Sequence, residues 1–273
     1  DLVELDWQSV SGWGRRGGAE LGTSNSVPDS AELAPLRDQL ALQQIDGLLV
    51  VGGRAGYMAA ARLQSSGADP GRNVPIVCLP ASIANDLPGT GASIGADSAL
   101  NTIVTILDLV KQTAVATRRC YVVETAGGDC GYLTLMSGLA AGAEQVYLPE
   151  EGITLTGLQA DVARLKEGFA SGKRLGLMLR NECADSIYTT DFLRAVFEKE
   201  GSDLFEVQQV VLGQLAQGGS PSPLDRALAT RLAAQGIERL IAEAESGWQH
   251  CLCAGIAGGD VLFHDLSEFG AGS

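Results

Sequence analysis

Polar side chains able to do chemistry gather in a few short, glycine-bounded stretches of this chain. Pro80-Ala-Ser-Ile-Ala-Asn-Asp-Leu-Pro-Gly-Thr90 places Ser82, Asn85 and Asp86 in one loop after an apolar run. A carboxylate in such a loop can serve as a general base if it reaches a substrate hydroxyl. The middle residue of Ser82–Asp86 is Ala84, whose methyl group can take no proton. Glu124-Thr-Ala-Gly-Gly-Asp-Cys-Gly131 places Gly127 and Gly128 between a strand-like and a helix-like run, where bare backbone N–H groups can approach an anion. Leu179-Arg-Asn-Glu182 puts a carboxylate just past another apolar run. Val211-Leu-Gly-Gln-Leu-Ala-Gln-Gly-Gly-Ser-Pro-Ser-Pro-Leu-Asp-Arg226 adds the amides Gln214 and Gln217 and ends on Asp225-Arg226, read as an ion pair or a helix-start contact. Val50-Val-Gly-Gly-Arg-Ala-Gly-Tyr57 is a further strand–glycine–helix junction of phosphate-loop type, carrying the cation Arg54. Each stretch also fits a bland role: a tight strand–helix turn for the glycine loops, a loop between lobes for Ser82–Asp86, a solvated carboxylate for Glu182.

The composition narrows the classes. With 273 residues, 45% of them hydrophobic, the chain can bury a sizeable core as one large domain or two small ones. Its 35 glycines fall between apolar runs and suit many tight turns. A net charge of −14 argues against a polyanion-binding surface, so no nucleic-acid partner is expected. No apolar run reaches the ~18–20 residues of a spanning helix, so no membrane segment is expected. The start, Asp1-Leu-Val-Glu-Leu-Asp, has no signal-peptide character, and its lack of Met suggests a fragment. Cys78, Cys120, Cys130, Cys183, Cys251 and Cys253 form no Cys-x-x-Cys pair and read as free buried thiols of a reducing cytoplasm. His250 and His264, the two histidines, supply poorly either a histidine metal site or a triad, and no metal ligands are assigned.

These stretches sit between elements that alternate. Strand-like runs are Gly47–Val51, Val74–Leu79, Cys120–Glu124, Val146–Leu148, Leu175–Leu179, Gln208–Leu212, Leu252–Ile256 and Val261–Phe263. Helical spacing covers Arg54–Gln64, Ser98–Ala116, Gly131–Ala141, Thr156–Ala170, Thr190–Glu200 and Leu224–Glu245. Trp13–Gly22 reads as an ordered loop. Strand–helix alternation predicts an α/β fold with mostly parallel sheets flanked by helices.

Together these motifs resemble the 6-phosphofructokinase family over nearly the whole chain. Leu5–Trp13 and Arg16–Thr23 are also similar to the family, and Gly95–Thr102 and Tyr188–Phe192 look most like the C-terminal, regulatory half of the eukaryotic-type, ATP-dependent enzyme. The family's catalytic loop reads Thr-Ile-Asp-Asn-Asp with its first Asp as general base; Ala84 stands there, so no catalytic residue is assigned. The family's Gly-Gly-Asp-Gly-Ser loop handles nucleotide phosphates and Mg²⁺, and its Asp is Arg54 here. The family's catalytic Glu-x-Met-Gly-Arg has Gly128 in place of its Arg, as in the regulatory half's Glu-x-Met-Gly-Gly, and Ala126 replaces the Met of both. The sugar-binding His of the Gly-His signature is Gln214, and many catalytic members carry Arg where Gln217 stands.

The resemblance implies a phosphofructokinase-like α/β fold of two lobes, lacking the family's N-terminal strand and loop. The larger lobe is expected at 1–95 plus 216–265 and the smaller at 96–215. The implied setting is cytoplasmic glycolysis, where the whole enzyme transfers the ATP γ-phosphoryl to fructose 6-phosphate. ATP and Mg²⁺ belong to the catalytic half, and none is expected in this chain. The chain itself is expected to be the non-catalytic half, binding a sugar phosphate (fructose 6-phosphate or fructose 2,6-bisphosphate) or scaffolding a catalytic half or an oligomer. The rivals are an active kinase using Asp86 or Asp129, and a structural subunit without ligand. Candidate sugar-phosphate contacts are Ser82, Asn85, Asp86, Arg119, Gly127, Gly128, Glu182, Gln214 and Gln217. Arg119 matches a family arginine that reaches across a subunit interface. Other phosphate-binding positions carry Asn25, Gln208 and a small residue near Gly258, each lacking the guanidinium fork.

Overall fold

The computed structural model describes residues 3–65, 74–201, 203–247 and 250–269. All nine candidate site residues fall among them; 1–2, 66–73 and 248–249 of the expected larger lobe lie outside. The strands form two four-stranded sheets. The first is ordered β1 (Leu48–Gly52), β2 (Ile76–Pro80), β7 (Cys251–Ala257), β8 (Asp260–Asp265). The second is ordered β4 (Gln145–Tyr147), β5 (Leu175–Asn181), β3 (Arg119–Thr125), β6 (Glu206–Val211). Every pairing is parallel except β7–β8, an antiparallel hairpin at one edge.

Parallel strands need helical crossovers, and the helices cover both faces of each sheet. In β2 the alternation is direct. Ile76 and Cys78 face Tyr57, Ala60 and Leu63 of α2 (Arg54–Ser65) and Leu33 of α1 (Ser30–Leu42). Val77 and Leu79 face Leu228 and Leu232 of α7 (Pro223–Ser246). In the second sheet, Val122 and Met178 pack on α5 (Leu155–Ala170) and α6 (Thr190–Gly201) through Leu165, Phe169, Leu193 and Phe197. Val123, Leu177 and Leu179 pack on Ile103 and Leu107 of α3 (Ala96–Thr117) and Leu133 of α4 (Tyr132–Ala141). Each such side chain contributes about 1.5–3 kcal/mol by leaving water. Buried strands of this kind, five to seven residues long, read as continuous apolar runs, which is why each was visible in the sequence to within a residue or two.

The expectations failed in two places, at α1 and at the thiols. Helix α1 was not anticipated, because Pro35 lies inside it and Leu33 is its one buried residue. Its start was nonetheless written in Asp29-Ser-Ala-Glu32, a reciprocal capping box. Trp13–Gly22 is an exposed stretch that begins with a 3-10 turn over Trp13–Arg15. The six thiols are free, but only four are buried; Cys130 is half-buried and Cys183 exposed.

Asp225-Arg226 resolves as a helix-start contact. Helix α3 begins at Gly95, which is left-handed and supplies no side-chain cap. Asp225, 4% exposed in the first turn of α7, supplies it instead. Its Oδ1 accepts from Gly95 N (3.0 Å), and its Oδ2 accepts from Ser98 N (2.7 Å) and Ser98 Oγ (2.6 Å). Ser98 Oγ in turn accepts from Ser222 N (2.9 Å), and Ser222 caps α7 itself. Two helix N-termini, one from each sheet's cover, thus meet at one buried carboxylate, where both dipoles favour negative charge.

Candidate functional site

Parallel α/β sheets place ligands outside the carboxyl ends of their strands. Eight of the nine candidate residues follow such ends: Ser82, Asn85 and Asp86 after β2, Gly127 and Gly128 after β3, Glu182 after β5, Gln214 and Gln217 after β6. Arg119 does not. It opens β3, so the length of the strand, seven residues or roughly 20 Å, separates it from Gly127. There its Nε pairs with Glu206 Oε2 at 2.8 Å, and that bond holds the guanidinium pKa above its usual value. Within one chain Arg119 cannot serve the same site as Glu182.

The Ser82–Asp86 loop is closed on itself. Asn85 adopts a left-handed conformation (φ 55°), which Asn tolerates better than most residues. Its Oδ1 accepts from Ser93 N (2.7 Å), and Ser93 Oγ accepts from Ser82 N (2.7 Å). Asp86 has both oxygens engaged: Ser82 Oγ donates to Oδ1 at 2.6 Å, and Arg54 Nε lies 3.8 Å from Oδ2. Ala84 brings no functional group, and Ile83 beside it packs on the core of the second sheet. The donor set around Arg54 does not fit Mg²⁺, which wants oxygen ligands, because the guanidinium occupies the carboxylate's place and takes Asp86 with it. Among the described residues, no three His, Cys, Asp or Glu side chains converge as a metal site.

The Gly127–Gly131 turn is also filled. Gly127 N and Gly128 N both donate to Glu182 Oε1, at 3.0 and 2.9 Å. Gly131 N, at the residue that precedes α4, donates to Glu150 Oε1 at 2.7 Å. The turn requires glycine: Gly127 has φ 157°, and a Cβ there would sit 2.6 Å from the Cys130 carbonyl oxygen. Asn181, fully buried, ties the two loops together by donating to Cys130 O (3.0 Å) and accepting from Cys183 N (2.7 Å). An anion reaching the Gly127 and Gly128 amides must displace a carboxylate already there. Glu182 Oε2 takes no part in those amide bonds, and an acceptor of that kind suits a hydroxyl-rich ligand better than a phosphate.

The loop that carries Glu182 has no helix or strand between Asn181 and Thr190. Asp185 braces it by accepting from Ile187 N (2.7 Å) and Tyr188 N (2.9 Å), which lowers its pKa. Arg180, 2% exposed in β5, braces it from below. The sequence reading missed Arg180, although a charged residue inside a buried strand run was the available signal. Cys183, next to Glu182, has its thiol pKa raised by partial burial and then by the charges of Glu182 and Asp129. Gln214 and Gln217 lie exposed on a 3-10 turn, Gly213–Gln217, anchored where Leu212 N donates to Glu124 O (3.0 Å).

Comparison with known proteins gives the same answer throughout. The family model for phosphofructokinase matches residues 1–240. The ATP-dependent 6-phosphofructokinase of Dictyostelium discoideum is 42% identical over 234 residues, covering 85% of this chain and 28% of the relative. The platelet-type enzyme of Rattus norvegicus is 38% identical over 283 residues, covering 98% of this chain and 35% of the relative. Among solved structures, Pichia pastoris phosphofructokinase in the T-state superposes with a TM-score of 0.91 at 32% identity, over 98% of this chain and 32% of that one. Phosphofructokinase from Saccharomyces cerevisiae gives 0.93 at 30% identity, over 98% and 38%. The chain spans about a third of the length of these relatives.

Proposed function

The chain belongs to the phosphofructokinase family, and from that membership we propose that it is the non-catalytic half of an ATP-dependent 6-phosphofructokinase. In this reading the partner is a catalytic half, which supplies ATP, Mg²⁺ and the transfer to fructose 6-phosphate. The chain contributes a sugar-phosphate site in the cytoplasm, for fructose 6-phosphate or fructose 2,6-bisphosphate. The observation that carries it is the state of Asp86. With Ala84 at the general-base position, Asp86 is the carboxylate left in that loop; one of its oxygens accepts from Ser82 Oγ and the other faces the Arg54 cation at 3.8 Å. A base so engaged is poorly placed to accept a substrate proton.

Glu182 favours a site that binds over a bare scaffold, because its carboxylate is fixed by two amides at a strand end. The phosphate groups would then be met by arginines from a neighbouring subunit, a role open to Arg119 at the far end of β3. The test is calorimetric titration of both sugar phosphates into the purified chain, together with a coupled assay for transfer from Mg-ATP. Saturable binding that Glu182→Ala abolishes, without turnover, is expected. Turnover that Asp86→Asn removes would overturn the non-catalytic reading. Absence of heat at millimolar ligand would leave the scaffold role.

A further inference from the structure

Arg180 is a buried cation, 2% exposed, that the sequence reading left out of the candidate site. Its donors run into the loop that carries Glu182. Nη1 donates to Glu182 O at 3.2 Å, Nη2 to Asp185 O at 2.5 Å, and Nε to Tyr188 O at 3.0 Å. Nη1 also pairs with Glu124 Oε2 at 3.1 Å, and Thr190 Oγ1 donates to that same carboxylate oxygen. One planar guanidinium therefore holds three carbonyls spread over seven residues of irregular backbone. Its charge is balanced by a carboxylate from the neighbouring strand, in the register Glu124↔Arg180.

We infer that Arg180 is the positioning residue for Glu182. Beyond Glu182 N, which donates to Thr125 O at 3.0 Å, the loop has no ladder, so those three carbonyl bonds, with the Asp185 turn, fix the conformation that aims Glu182 at the Gly127 and Gly128 amides. The guanidinium is suited to this because its donors diverge in a fixed plane. A lysine keeps the charge against Glu124 but offers one ammonium, which cannot reach carbonyls on both sides. The chain of cause runs from Glu124 to Arg180, then to the loop, to Glu182, and to the amide pair. Its bearing on ligand affinity rests on the sugar-phosphate reading above, but its bearing on Glu182 does not.

The first measurement is therefore made without ligand. Amide hydrogen exchange is followed at Gly127, Gly128, Val122 and Leu177 in the wild-type chain, Glu182→Ala and Arg180→Lys. About tenfold faster exchange at Gly127 and Gly128 is expected in both variants, with Val122 and Leu177 in the sheet core unchanged. If Arg180→Lys leaves the two glycines as protected as in the wild type, Glu182 is held without it and the inference is wrong. Faster exchange at Val122 and Leu177 as well would make Arg180 a support of the whole sheet, which also overturns it. If Arg180→Lys fails to fold, Glu124→Gln decides by the same pattern, since it removes the charge that orients the guanidinium. The second measurement adds fructose 2,6-bisphosphate, with about tenfold weaker binding expected for Arg180→Lys. A wild-type chain that binds no sugar phosphate, yet shows the exchange pattern, would sink the proposed function and leave the positioning role standing.

Discussion

Replacing Asp225 by Asn should be among the costliest isosteric changes available in this chain. The carboxylate accepts three hydrogen bonds, from Gly95 N, Ser98 N and Ser98 Oγ. An amide has one acceptor oxygen. Turned toward Ser98, that oxygen keeps two bonds but sets an NH₂ group against the Gly95 N–H, donor to donor. The charged bond lost is worth about 1.5–3 kcal/mol, and the buried N–H left without an acceptor adds a desolvation cost of overlapping size. Loss of negative charge near the N-termini of α3 and α7 adds about 0.3–1 kcal/mol each. The sum is about 3–4 kcal/mol after allowing for the overlap. At about 2–4 °C per kcal/mol for a chain of this size, the midpoint should fall by ~6–15 °C. The assay is urea and thermal unfolding followed by circular dichroism, with the urea slope compared to confirm that the folded state is unchanged. A loss under ~1 kcal/mol would mean that α3 is capped adequately without the carboxylate, and the reasoning that Asp225 joins the two halves energetically would fail.

Two further outcomes follow from single groups. Tyr57, 5% exposed, has a hydroxyl with no hydrogen-bond partner among the described residues, and burial raises its pKa. Tyr57→Phe should therefore stabilise the chain by roughly 1 kcal/mol in urea titration, and a loss of stability would show that the hydroxyl has a partner in solution. Asp185 has its pKa lowered from 3.8 by the Tyr188 and Ile187 N–H groups, so its bracing is fully present above that pH and is lost as pH falls through the lower folded value. Pepsin cleavage within residues 182–190 should consequently rise below pH 3.8 in the wild type but lose that step in Asp185→Asn, and identical profiles for the two would refute the assignment.

The residues themselves settled the architecture. Short apolar runs closed by glycine and separated by helical stripes can bury themselves only as parallel strands covered on both faces, and the two sheets are built from those runs. That Ala84 can accept no proton and that Arg54 cannot ligate Mg²⁺ follow from side-chain chemistry alone. What those residues touch did not follow. Helix α3 shows no cap within its own sequence, because its cap is Asp225, 130 positions later. Glu182 read as a candidate ligand contact past a strand end, but not as the acceptor that fills the amide pair of Gly127 and Gly128. Arg119 was grouped with ligand contacts and stands at the opposite end of β3, paired with Glu206. Arg180 passed unnoticed within a strand run. The physical reason is the same in each case: periodicity reports which face of an element is buried, which is a local property. The choice of a hydrogen-bond partner depends on which strand ends and helix starts the fold brings within about 3 Å, and that is decided only when the sheets and their covers are assembled.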